Sequence, residues 1–333
     1  MNSTEEGNHE HFASHSGGIR RVNGNKRYLF IAFMASLGLS AILALVVADS
    51  IQASLGNSLA ANRLLENFDG LWYRSFAATA QGLAKTFEPG VVGIGAVFKS
   101  LDAFLSGRFL QEHAAILKAA AIYWLLWVFF SAGFIARYVA TGEEKPGFWA
   151  SSARYFFRFL ILAVMAVIVY FLAFRIILGG LSSLVNEWTR ETLDERVHFA
   201  LTVAKYLIFW LIVWFVNMLF DYSKILTVVR DHKNMLFVPL RALGFVVPRF
   251  FKTYGLYLSV GLIWIGILLV YWIVVPGAGQ SSWIGIGLAF LLGQLYILSR
   301  IWTRCLFWGA QAGFLLAEYA EPGEAAETNE EKS

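Results

Sequence analysis

Charge is scarce in this chain. Only 15% of its 333 residues are Asp, Glu, Lys or Arg, while 58% are hydrophobic, against about a quarter charged in a soluble domain. Too few ionised side chains remain to cover a water-exposed globule, so that class is excluded. Cysteine is nearly absent as well. Cys305 alone excludes an internal disulfide framework, and its place in an apolar run beside Arg304 and Trp308 suits a small buried thiol. Of the few prolines, Pro239, Pro248 and Pro276 fall in loops or at the ends of apolar runs. The broken helices and matching halves of transporter folds therefore find no signal. No Asp or Glu lies near the middle of any apolar run, which removes a carboxylate proton relay or cation site of the intramembrane kind.

The motifs of common enzymes are missing too. There is no H-E-x-x-H zinc helix, no phosphate loop, no G-x-S-x-G elbow and no aspartate cluster for metal-assisted phosphoryl chemistry. His113 follows Glu112, and His198 lies near Glu195. Adjacent positions in one helix do not face each other, which weakens the first pair, and a surface histidine is the ordinary reading of both. His9, His11 and His15 sit in a polar tail and read as incidental rather than as a metal site. The sequence calls for no cofactor, no metal and no catalytic residue. No basic stripe interleaved with stacking aromatics appears, which excludes nucleic acid as a partner.

What is present is a set of apolar runs near 20 residues long, the length that crosses a bilayer. Six qualify: 28–48, 116–138, 155–178, 203–220, 254–275 and 283–302. The first is too long for the core of a cleaved signal and is expected to remain as an anchor. The fold expected is an all-α polytopic bundle, with a transmembrane domain over 28–319. A polar tail at 1–27 and an acidic tail at 320–333 read as disordered. The last apolar pattern continues from Trp283 to Tyr319. At 1.5 Å per residue that is about 55 Å of helix, more than a bilayer holds. Arg300 and Arg304 mark its inner boundary, so 305–319 reads as a separate interfacial or protruding helix.

Lys and Arg near span ends stay on the cytoplasmic side. Arg20, Arg21, Lys26 and Arg27 precede the first span with no acid among them. The segment between the second and third spans carries Arg137, Lys145, Arg154 and Arg158 against Glu143 and Glu144. The loop 221–252 is the most basic, with Lys224, Arg230, Lys233, Arg241, Arg249 and Lys252 against Asp221 and Asp231. These segments face inward, together with both ends of the chain. The outer segments are 49–113, 179–204 and 276–282. The first two carry an excess of acid and the third carries no charge.

Small residues recur every fourth position in the first span, at Ala32, Ser36, Ser40, Ala44 and Ala48, and similarly at Ala132, Ala136, Ala140 and at Gly285, Ala289, Gly293. Such ridges let helix backbones approach, within one chain or across a homo-oligomer or other membrane-protein seam. Tyr and Trp toward span ends suit the head-group belts. In the long outer loop, Val91, Ile94, Phe98, Leu101 and Leu105 give a helix with one apolar face, which must lie on the membrane, on the spans or on a partner.

Two groups of polar residues are candidates for a site. Arg175 and Lys205 lie toward the outer ends of the third and fourth spans, and Asn217 and Gln294 lie within spans. Converged on one cavity, these four would suit a transporter or channel for a neutral or anionic solute. In the inner loop, Phe237, Leu240, Leu243, Gly244 and Val247 make a short interfacial helix with Arg241 off that face. The six bases of this loop would hold it to membrane lipids of anionic type, at about 1 kcal/mol for each base.

The D-Y-S-K-I at Asp221–Ile225, V-R-D-H-K-N at Val229–Asn234 and R-A-L-G-F at Arg241–Phe245 resemble the inner loop of uncharacterised bacterial six-span membrane proteins. The F-D-G-L-W at Phe68–Trp72 and T-F-E-P-G at Thr86–Gly90 add to the likeness. The resemblance implies a bacterial cytoplasmic membrane location and carries no activity. The expected role is non-enzymatic: organising or stabilising a membrane assembly or envelope through the outer loop and the basic inner loop. Single thiols introduced into 49–113 are expected to react with a membrane-impermeant reagent from outside intact cells. Labelling there from the cytosolic side alone would reverse the sidedness.

Overall fold

The computed structural model describes residues 16–56, 58–66, 68–88, 95, 99, 103, 117–142, 145–190, 194–276 and 282–330. Among these the regular elements are helical, without a strand. In chain order they are α1 (16–23), α2 (Lys26–Leu55), α3 (Ala60–Glu66), α4 (Gly70–Thr79), a short turn of 3-10 helix (Gly82–Thr86) and α5 (Leu117–Val139). Then come α6 (Phe148–Leu172), a π-helical segment (Ala173–Leu178), α7 (Gly179–Thr189), α8 (Glu195–Val229), α9 (Val238–Val246), α10 (Phe250–Val274) and α11 (Trp283–Glu330).

Six helical runs are long and apolar enough to cross a membrane: Lys26–Leu55, Leu117–Val139, Phe148–Thr189, Glu195–Val229, Phe250–Val274 and Trp283–Tyr319. Large apolar side chains stand outward along them, among them Leu45, Phe171, Leu207 and Ile273. Contiguous apolar surface of that kind requires an apolar solvent, while the helices satisfy their backbones internally. The chain is a multi-pass α-helical membrane protein.

The helices overrun the sequence boundaries, because hydropathy ends where charge begins and the hydrogen-bond ladder does not. The third run passes Arg175 through the π segment and on to Thr189. The fourth starts at Glu195, where the Asp194 side chain accepts from the Arg196 N–H at 2.9 Å. The separate helix expected at 305–319 is instead continuous with the last span, and the helix runs on to Glu330 through much of the segment read as an acidic disordered tail. At the other end, residues 16–23 are helical rather than part of a disordered tail. The amphipathic helix expected at 91–105 lies outside the described residues except for Gly95, Lys99 and Ala103. His9, His11, His15, His113, Glu112, Glu143 and Glu144 lie outside them too.

By packing the chain divides into two compact units, Met1–Lys26 with Leu125–Ile263 and Trp302–Ser333, and Arg27–Trp124 with Trp264–Ile301. In the first, α1 lies on α11. A Cβ on Gly18 would come within 3.0 Å of the Ala310 backbone, and one on Gly309 within 3.2 Å of the Gly18 carbonyl, so glycine at both positions permits this approach. Asn25 closes the turn after α1: its amide donates to the Arg21 carbonyl at 2.8 Å, and its Oδ1 accepts from Arg137 Nε at 2.5 Å. Gly133 on α5 meets the Phe148 ring of α6, where a Cβ would stand within 2.8 Å. Arg158 reaches Asp231, and Arg249 pairs with Glu318. The segments assigned inward by their basic residues thus meet at one end of this unit.

In the second unit the segment after α2 builds a small core of Ala60, Trp72, Phe76 and Ala84, closed by Ile51, Leu55, Leu64, Tyr73 and Phe87. Trp72 and Phe76 stack at 5.4 Å, and Phe87 meets Phe76 edge-on at 5.8 Å. F-D-G-L-W acquires a physical reading here. Asp69 caps α4, accepting from the Leu71 and Trp72 N–H groups at 3.0 Å, and takes Arg63 Nε at 2.7 Å, while Trp72 fills the core. The Trp72 N–H bond, with help from Arg63, holds the Asp69 carboxyl below the usual carboxylate range. Its contribution is therefore complete above a pH of about 4 and is lost as pH falls through the lower folded value. Asp69→Asn, which keeps a capping oxygen, is expected to preserve amide-exchange protection over Gly70–Thr79, and Asp69→Ala to abolish it in the first turn.

Candidate functional site

The fourth span does not end where its hydropathy falls. Asn217, Asp221 and Lys224 follow one another at helical spacing on a single face of α8. Asp221 is buried, and its Oδ1 accepts from the Trp308 indole N–H of α11 at 2.9 Å and from Lys224 Nζ at 3.0 Å. The Lys224 ammonium also stands 5.7 Å from the Trp308 ring centroid. Arg304 lies over Trp127 of α5 at 4.4 Å and over Trp308 at 5.5 Å. A buried carboxylate is tolerable only when paired and hydrogen-bonded, and cations over indole faces add attraction in that setting.

One turn earlier, Asn217 joins two more helices. Its Oδ1 accepts from the Tyr170 hydroxyl of α6 at 3.1 Å, and its amide donates to the Tyr257 hydroxyl of α10 at 2.5 Å. Around this core the Tyr222 hydroxyl and both amide atoms of Gln311 are buried with no hydrogen-bond partner among the described residues. The sequence reading carries the helix on through Asp221 but counts that residue only as an acid of the basic inner loop, and it gives Trp308 no role beyond being a neighbour of Cys305. The signal was Asp and Lys three apart, one turn beyond an intraspan Asn, within an unbroken helical register.

After α8 the chain turns at Arg230 and Asp231, whose φ of +45° is uncommon for a residue with a side chain and most accessible to Asn and Asp. The turn aims its carboxylate back at α6, where Arg158 Nη1 donates at 2.6 Å and Arg154 Nη2 at 3.3 Å. Arg158 also donates to the His232 carbonyl at 3.2 Å. Arg158, with Arg154 beside it, holds the Asp231 carboxyl below its usual range. Arg241 Nη1 sits 2.9 Å from His232 Nδ1. Burial lowers the His232 pKa, and Arg241 and Arg230 push it lower still. The neutral imidazole can then accept from the guanidinium. Sequence reading used Arg154 and Arg158 only for orientation, because their tie to Asp231 spans more than seventy residues.

The two candidate sets fare differently. Of the six inner-loop bases, Lys224 and Arg249 are each engaged by an acid of the chain, Asp221 and Glu318 respectively. Arg230, Lys233, Arg241 and Lys252 are exposed, with Arg230 over the Tyr319 ring at 4.7 Å. Of the intraspan set, Arg175, Lys205 and Asn217 lie in the first compact unit and Gln294 in the second. Arg175 is exposed on the π segment, fourteen positions before the end of its helical run at Thr189 rather than near that end. Lys205 lies over the ring of its neighbour Tyr206 at 4.4 Å. Asn217 is engaged by two tyrosines, and Gln294 belongs to the other compact unit. Cys305 is buried.

Compared with protein-family models, curated proteins and solved structures, the chain finds no match. Function must therefore be argued from this geometry. Replacing Asp221 by Ala leaves Lys224 and the Trp308 N–H unpaired in an apolar interior. The expected loss is about 3–5 kcal/mol, read as a lower melting temperature of the purified protein. Lys224→Met in the Asp221→Ala background is expected to recover part of that loss, and no recovery would refute a charge-pairing role.

Proposed function

We propose that this chain is a non-enzymatic membrane protein of the bacterial cytoplasmic membrane. In this reading it organises or stabilises a membrane assembly, with its basic loop held on the anionic inner leaflet and its helical outer loop facing out. The observation that carries the reading is the double-sided character of α9. Val238, Ala242, Phe245 and Val246 are buried, while Phe237, Leu240, Gly244 and Val247 face outward, preceded by Leu236 at 63% exposure. A short helix that is apolar on both sides, with Arg230, Lys233, Arg241 and Lys252 exposed around it, has the chemistry of a segment lying between a protein core and lipid.

The reading of the chain as a transporter or channel is less favoured, because Asn217 is held by Tyr170 and Tyr257, and Lys205 lies over Tyr206. The Asp221 core does not revive it, since the carboxylate is paired inside the chain. Reconstituted protein is expected to melt at a higher temperature in vesicles containing anionic lipid than in zwitterionic ones. Arg230→Gln/Lys233→Gln/Lys252→Gln should remove about 1 kcal/mol of that difference for each base. Equal stability of the wild-type chain in both lipids would refute the anionic-leaflet attachment.

A further inference from the structure

The turn after α8 gathers more positive charge than its own acid can balance. Arg154 and Arg158 of α6, Arg230 at the end of α8 and Arg241 of α9 surround Asp231 and His232. Asp231 supplies a single carboxylate, and the His232 ring is an acceptor for Arg241. Each guanidinium carries five N–H donors in a planar fork, so these contacts leave most donors unused. The side chain of Arg154 is 63% exposed, and its bond to Asp231, at 3.3 Å, is longer than that of Arg158. Arg158, by contrast, is fixed by Asp231 and by the His232 carbonyl. One arginine therefore shapes the turn, while Arg154 and Arg241 stand at its rim with donors to spare.

The surroundings select what kind of anion fits. On α6 Phe157 is 72% exposed between Arg154 and Arg158, and Trp149 stands outward two turns before it. On the loop and α9, Leu236, Phe237 and Leu240 stand outward beside Arg241. A cationic cluster edged on both helices by lipid-facing apolar side chains matches a ligand with a phosphate at one end and acyl chains at the other. Arginine forks bind phosphate oxygens in pairs, and the bonds are charge-assisted.

We propose that Arg154, Arg158 and Arg241, set by Asp231 and His232, form a discrete site for the phosphate of one anionic phospholipid, its acyl chains lying along Phe157 and Leu240. This rests on the reading of the loop as bound to an anionic leaflet and replaces a diffuse attraction with a located headgroup. It also assigns Arg154 and Arg158, which lie outside the basic loop, to lipid binding.

The test uses the full chain in phosphatidylcholine nanodiscs with or without phosphatidylglycerol, with retained lipid counted by native mass spectrometry. Wild type is expected to retain one phosphatidylglycerol and no phosphatidylcholine. Arg154→Gln/Arg241→Gln should weaken that retention roughly tenfold or more, the loss expected for charged hydrogen bonds. Arg190→Gln, far from this turn in the segment between α7 and α8, should leave it unchanged. Arg154→Gln alone, which keeps the Arg158–Asp231 pair, should weaken retention in the same direction and serves if the double variant does not fold. Retention unchanged in both Arg154 variants overturns the site, as does equal retention of phosphatidylcholine. Displacement of the lipid by inorganic phosphate overturns it in favour of a soluble anion. If wild type retains no phosphatidylglycerol yet is still stabilised by anionic vesicles, this site fails and the broader reading stands. If that stabilisation is also absent, both fail.

Discussion

A carboxyl group inside an apolar helical bundle has few acceptable environments, and Asp221 occupies one of them. Its oxygen takes an indole N–H from α11 and an ammonium from its own helix, so α8 and α11 can meet in only one register. The same face of α8, one turn away, offers Asn217 to hydroxyls on α6 and α10. Apolar faces in a bilayer gain little from choosing one neighbour over another, since lipid tails are as apolar as leucine. Polar side chains on a single helix face therefore supply the specificity that hydrophobic packing cannot, and α8 becomes the element against which the others are aligned.

Close backbone approach supplies the second constraint. Gly18 against Gly309 and Ala310, and Gly133 against Phe148, bring segments nearer than larger residues allow. The small-residue ridges were legible as ridges but not as contacts. Ala132 and Ala136 are buried, yet along the first span only Ala32 and Ser36 are, while Ser40, Ala44 and Ala48 stand exposed. Spacing reveals that a face is smooth. It does not reveal how far along that face a neighbour reaches.

The basic loop joins these constraints to the functional reading. Its charges divide into two groups with different roles. Lys224 and Arg249 neutralise acids of the chain itself, whereas Arg230, Lys233, Arg241 and Lys252 face outward beside a helix that is apolar on both sides. Lys224 lies one helical turn after its acid on the same helix, whereas Arg249 meets Glu318 only because α11 packs beside it.

The amino-acid sequence by itself determined that the chain is helical, that six runs can cross a membrane, and that its basic segments gather on one side. Each of these is a sum taken along the chain. Apolar length and the count of Lys and Arg near span ends do not depend on which helix neighbours which. The short helix after Phe237 was legible for the same reason, since its period is local. Only the tertiary structure decided that Asp221 is buried, that Arg158 belongs to Asp231, that Asn217 is held by Tyr170 and Tyr257, and that residues 16–23 dock on the last helix. Those outcomes depend on distances of a few ångströms between segments far apart in sequence. A hydrogen bond or ion pair decays over that length, whereas the hydrophobic sum that places a helix in lipid does not.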